Sequence, residues 1–190
     1  MMKLADRISD FFWRIAGWKS FTVAIIFYAI MGFYVMPHGA AQIQELAGKK
    51  VQIFDLQFSY TPEKAREILA EYTPEARAQS AWFSAVADSI YPFVYTFLYI
   101  ILTAWVFKSG SRHGVVINHL HLLPFTTFFI DFFENAGIIN LMHKYPNFTD
   151  SEVLIASFFT SLKWTLVAAQ TLVLLGGIAL LISDKLKKKA

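Results

Sequence analysis

The sequence predicts an all-α polytopic membrane protein, and three observations carry that prediction. Apolar residues make up 56% of the 190-residue chain, aromatics 17% and charged residues only 16%. Soluble domains carry about 25% charged residues, so this chain has too little polar surface to clothe a water-soluble globule. Four stretches reach the roughly 20 mostly apolar residues that a bilayer-spanning helix needs. The basic residues between them fall mainly on one side. The same composition excludes a disordered chain. With no Cys, it also excludes a disulfide framework, a thiol nucleophile and a thiolate metal site.

The elements follow in order along a single four-span membrane domain. Residues 1–18 form an amphipathic interfacial helix, with Leu4, Ile8, Phe11, Phe12 and Ile15 at helical spacing among basic residues. It reads as a membrane anchor or as a surface for anionic lipid. The first span covers 20–36 and ends at Pro37. An outer loop or cap covers 37–80. Within it, Thr61-Pro62-Glu63 and Thr73-Pro74-Glu75 are two helix starts: a capping hydroxyl, Pro in the first turn, then an acid at the positive end of the dipole. They predict a short helix over 62–72 and a second helix running from 74 straight into span two. Val51 to Phe54 is a short apolar run, either a strand or a plug against the bundle. A structured loop of this length is a lid or a rigid cap. Spans two, three and four cover 82–107, 115–142 and 153–182.

Orientation follows from the Lys and Arg flanks. Lys3, Arg7, Arg14, Lys19, Lys108, Arg112, Lys185, Lys187, Lys188 and Lys189 lie on one side. Lys49, Lys50, Lys64, Arg66, Arg77 and Lys144 lie on the other, offset by acids. Both termini are therefore expected in the cytoplasm.

Ionisable side chains inside a span cost roughly 2.5–3.5 kcal/mol each on insertion scales, so those that persist face the bundle interior, paired or hydrated. In span two, Ser84, Asp88, Tyr91, Tyr95 and Tyr99 share one helical face. Pro92 frees a carbonyl one turn back. In span three, His121, Pro124, Thr127, Asp131, Glu134 and Asn135 fall within an arc of about 140°. Asp131 and Glu134 are neighbours at i, i+3. Two such carboxylates in a low dielectric cannot both stay charged without compensation. One holds a proton, a cation sits between them, or a basic side chain pairs with one and locks the bundle. The one base at hand is Lys163 in span four, which shares a face with Thr160, Trp164, Gln170 and Thr171. By depth, Asp88, Asp131, Glu134, Asn135 and Lys163 converge on one level beneath the outer loop. The surplus acid there favours protons or a cationic group. His121 lies about 15 Å away along the helix, as an interior residue or the end of a proton path. A metal on Asp131, Glu134 and Asp88 lacks a supporting motif, so no metal and no cofactor are expected. There is no phosphate-binding glycine loop and no Gly-x-Ser-x-Gly elbow.

Ala81-Trp82-Phe83 leading into the acid-bearing span, and an acidic third span ending in Asp131 and Glu134, give the chain a layout that resembles the emopamil-binding-protein-like (EXPERA-type) four-helix membrane family. The cytoplasmic start, the long first outer loop and the lysine-rich end share in that resemblance. It implies an intramembrane cavity reached from lipid, in which acids bind an amine or stabilise a carbocation-like state of a sterol-type ligand.

Three functions remain open. The first is a binder of a lipid-like or amine-bearing hydrophobic ligand, with Asp131 and Glu134 as an acid/base pair if isomerase-type chemistry follows. Asp88, Tyr91, Asn135, Lys163 and Trp164 would then hold the ligand. The second is a non-catalytic scaffold or accessory subunit, and the third a small proton-coupled transporter. The expected partners are the bilayer, a hydrophobic small molecule and other membrane subunits, with no nucleic acid.

Overall fold

The computed structural model describes residues 4–109 and 119–187. Lys3, Arg112, Asn118, Lys188, Lys189 and the start of the third apolar stretch lie outside them. The described residues form helices joined by turns, without a strand. We label them α1 (Leu4–Ile15), α2 (Trp18–Ala47), α3 (Pro62–Ala70), α4 (Pro74–Ser109), α5 (Leu123–Lys144) and α6 (Asp150–Lys187). A single 3-10 turn, Leu120–Leu122, leads into α5, and another, Phe54–Leu56, lies between α2 and α3. Among the described residues, four helical segments are long and apolar enough to cross a membrane: Trp18–Ala47, Pro74–Ser109, Leu120–Lys144 and Asp150–Lys187.

The first of these corrects the sequence reading. It does not stop at Pro37 but runs on to Ala47. Proline in a helix lacks one donor and clashes with the preceding turn. Here a π turn, Met31–Val35, precedes it, and the Met36 N–H bonds back to the Met31 carbonyl. The widened turn accommodates the ring, so Pro37 sits at the start of a renewed α-helical stretch. The helix ends at Gly48, whose φ of 69° is the left-handed conformation that glycine adopts without strain.

Contacts divide the chain into two compact units. One comprises Met1–Tyr28, Val94–Thr127 and Leu166–Ala190. In it α1 carries its acid, Asp6, in the first turn and its base, Arg14, in the last, which suits the helix dipole. Phe12 stands edge-on to Phe97 and Phe125, at 6.0 and 5.8 Å between centroids. Lys108 donates to the carbonyls of Trp13 and Ala16 at 3.1 and 3.4 Å, and so caps the end of α1. Leu4 and Phe11 stay exposed. The buried Thr127 hydroxyl donates to Gln170 at 3.0 Å. His121 is fully buried, with its ring 5.9 Å from Trp13.

The other unit comprises Ala29–Phe93 and Phe128–Thr165. Its core gathers Phe54, Ile68, Leu69, Leu141, Val153 and their neighbours. Both helix starts in the cap form as the sequence predicts. Thr61 accepts from the Lys64 N–H at 3.2 Å. Thr73 accepts from the Ala76 N–H at 3.1 Å and donates to the Leu46 carbonyl at 3.0 Å, tying α4 to the end of α2. Val51 and Phe54 are buried, so the apolar run is a plug and not a strand. A capping box starts α6: Thr149 accepts from the Glu152 N–H while Glu152 accepts from the Thr149 N–H at 2.8 Å. Arg66 of α3 pairs with Asp150 at 2.5 Å and lies over the Phe148 ring.

Tyr72 fastens the plug. Its hydroxyl donates to the Gln52 carbonyl at 2.7 Å. Burial pushes the phenol from 10.0 up to about 12. The folded state thus holds this proton more tightly than the unfolded chain. The stabilisation is complete below about pH 10 and is lost as pH rises through about 12. Tyr72→Phe is expected to cost about 1 kcal/mol near neutrality. It should also lose less stability than the wild type between neutral pH and about pH 11. Thermal melts at both pH values check this, and parallel losses in the two proteins would refute it.

Candidate functional site

The second unit holds the acidic centre. Asp131, Glu134 and Asn135 come from α5, Asp88 from α4 and Lys163 from α6, and all five are buried. Glu134 is wholly inaccessible. Its Oε2 lies 2.5 Å from the Lys163 Nζ. That pairing is the one that the sequence offers as a lock between spans three and four.

The structure adds an acid that sequence reasoning missed. Asp55, from the 3-10 turn in the cap, pairs with the same ammonium. Asp55, Asp131 and Glu134 each offer an oxygen within 4.8 Å of the others. The trio considered from sequence was Asp88, Asp131 and Glu134, so Asp55 takes the place expected for Asp88. The available signal was an acid inside the apolar run Ile53-Phe54-Asp55-Leu56. Loop spacing gives no period from which to tell where such an acid points.

Asn135 has a defined task. Pro92 has no N–H to give the carbonyl of Asp88, four residues earlier in α4. Asn135 donates its side-chain amide to that carbonyl at 3.1 Å. The carbonyl freed by Pro92 is therefore satisfied from the neighbouring helix, as a buried polar group must be.

Trp164 donates its indole N–H to the Asp55 backbone carbonyl at 3.2 Å, and its ring lies 5.5 Å from the Lys163 ammonium. Tyr91 is half-buried, with its hydroxyl close to Gly32 of α2. The Tyr60 ring is buried against Phe54, and its hydroxyl faces Thr160 and Glu134. Burial raises the Tyr60 phenol well above its ordinary range, so it stays protonated.

A cavity of about 240 Å³ adjoins this centre. Its walls are mainly apolar, including Met36, Ile43, Phe83, Ile138 and Met142. Its polar lining comprises Asp55, Asp88, Ser80 and Ser84. Of the candidate catalytic and ligand-binding residues named from sequence, Asp88 alone reaches this wall, beside Ser84 of the same helical face. Asp131, Glu134, Asn135, Lys163, Trp164 and Tyr91 lie outside the lining. The two carboxylates of the lining differ. Asp55 is held by Lys163. Asp88 is only 7% exposed, and its carboxylate has no hydrogen bond or ion pair among the described residues. An anion so placed attracts a cation or holds a proton. Three carboxylates that close together also have the donor chemistry of a hard cation, but the Lys163 ammonium already stands among them.

Comparison with known proteins brings no match: no family model, no curated protein and no solved structure is significantly similar to this chain.

Proposed function

We propose that the chain is a multi-pass membrane protein, with both termini cytoplasmic, that binds a hydrophobic ligand bearing a cationic group. The ligand's apolar body fills the cavity of the second unit, and Asp88 is the counter-ion. The observation that carries this reading is Asp88 itself: a nearly inaccessible carboxylate, without a hydrogen-bond or ion-pair partner among the described residues, in a mainly apolar wall. Pockets for small molecules are mostly apolar with a few placed polar groups, which is this composition. The four long apolar helices and the basic flanks support the topology. The resemblance in layout to the emopamil-binding-protein-like family points the same way. Asp131 and Glu134 stand outside the cavity wall, and Glu134 is already paired, so the geometry favours binding over isomerisation. No cofactor enters this reading.

The test uses the purified protein in lipid nanodiscs, with dodecylamine and dodecanol as probes and empty nanodiscs as background. The wild type is expected to bind dodecylamine well above dodecanol. A charged hydrogen bond contributes about 1.5–3 kcal/mol, so Asp88→Asn should weaken dodecylamine by roughly 10- to 100-fold. Dodecanol binding should barely change. Equal binding of both probes by the wild type, or an unchanged amine affinity in the variant, would defeat the proposal.

A further inference from the structure

The segment between Gly48 and Thr61 is a strap with few backbone bonds of its own. Inside it, the Leu56 N–H bonds the Ile53 carbonyl and the Gln57 N–H bonds the Phe54 carbonyl. Its first half is held by the Tyr72 bond to the Gln52 carbonyl and by burial of Val51 and Phe54, and its second half, from Asp55 to Tyr60, is fastened through side chains to α6. The Tyr60 N–H donates to Ser157 at 2.8 Å, Ser161 donates to the Phe58 carbonyl at 2.9 Å, and Trp164 donates to the Asp55 carbonyl at 3.2 Å. The charged fastener is Asp55 on Lys163. The inner side of the same strap, Ile53 to Leu56, is a wall of the cavity.

Lys163 is shared, and that sharing decides what the fastener can do. Its ammonium contacts both Asp55 and Glu134. The Asp55 side chain keeps 22% of its surface accessible, whereas Glu134 keeps none. A cation inside the cavity therefore meets Asp55 and not Glu134. If Lys163 gives up Asp55 to that cation, it still holds Glu134. No ammonium is left stranded, and the charge that the ligand brings is met by the carboxylate that Lys163 gives up. Exchange of one cation for another at Asp55 avoids the penalty that an unpaired buried charge would carry.

We propose that Lys163 is an internal occupant of the binding site, and that a ligand cation in the cavity displaces it from Asp55 and so releases the strap. This rests on the cationic-ligand reading above and adds to it a gate. The strap closes on the empty cavity and loosens when the cavity fills.

Hydrogen exchange of residues 51–60, followed by mass spectrometry on the full chain in nanodiscs, tests the gate. Dodecylamine is expected to speed exchange of the Leu56, Gln57 and Tyr60 amides several-fold in the wild type, and dodecanol to leave it unchanged. In Asp55→Asn the same amides should exchange fast without any probe and respond no further when dodecylamine is added. If the wild type binds dodecylamine and the strap exchanges no faster, the gate is wrong and the binding reading stands. If the wild type does not bind dodecylamine, both fall. If Asp55→Asn exchanges like the wild type, the ion pair does not hold the strap and the gate is again wrong. The wild-type comparison needs no variant to fold.

Discussion

Lys163→Met is expected to lower stability by about 3–5 kcal/mol, because it leaves carboxylates buried beside one another with no cation. Glu134 is wholly inaccessible and Asp131 nearly so, so neither can be hydrated in place. Glu134→Leu should cost less than Lys163→Met, since the ammonium keeps Asp55. The double variant Glu134→Leu/Lys163→Met removes both ends of the inner pair and fills the space with apolar atoms. It should be more stable than Lys163→Met alone, by at least about 1.5 kcal/mol, which is within the range that contacting residues show in double-mutant cycles. Unfolding in mixed micelles with increasing SDS gives the four stabilities of the cycle. Additive losses would mean that Lys163 and Glu134 act independently. A neutral Lys163→Met would mean that the centre is hydrated and the pair is marginal.

Parts of this arrangement were legible before any coordinates. An apolar helix of about 20 residues is written as a continuous run, so all four long helices follow from composition along the chain. The two Thr-Pro-Glu starts are local chemistry and form as read. Helical periodicity also sufficed to turn Glu134 and Lys163 inward, where they meet. What sequence withheld has a common cause. Pro37 signals a stop by its own chemistry, but a π turn one residue earlier absorbs it, and that turn has no sequence signature. Asp55 lies in a segment without a period, so its partnership with Lys163 over a long separation is a property of the fold and not of the pattern. Asn135 sits between these cases. The orphaned carbonyl follows from Pro92 alone, but its donor comes from another helix.

Gly39→Ala is expected to close the cavity rather than unfold the protein. A Cβ at Gly39 would lie 2.0 Å from Cε2 and 2.2 Å from Cζ of Phe83. Those atoms are the far end of a ring, which can rotate, and not backbone. Phe83 lines the cavity, so empty space adjoins it. Overpacking costs about 1–3 kcal/mol when a side chain has nowhere to go. Alanine within a helix returns about 1 kcal/mol relative to glycine. With space available, the two effects nearly cancel, and the ring moves into the volume that the ligand needs. Gly39→Ala should therefore shift the melting temperature by only a few degrees, while dodecylamine affinity falls at least about 10-fold, a loss of about 1.4 kcal/mol. Phe83→Ala in the same chain removes the ring and should restore most of that affinity. If the affinity stays low after the ring is gone, the obstruction is not Phe83. If Gly39→Ala melts far below the wild type and Phe83→Ala does not recover it, the glycine is required by the helix contact itself and the cavity plays no part.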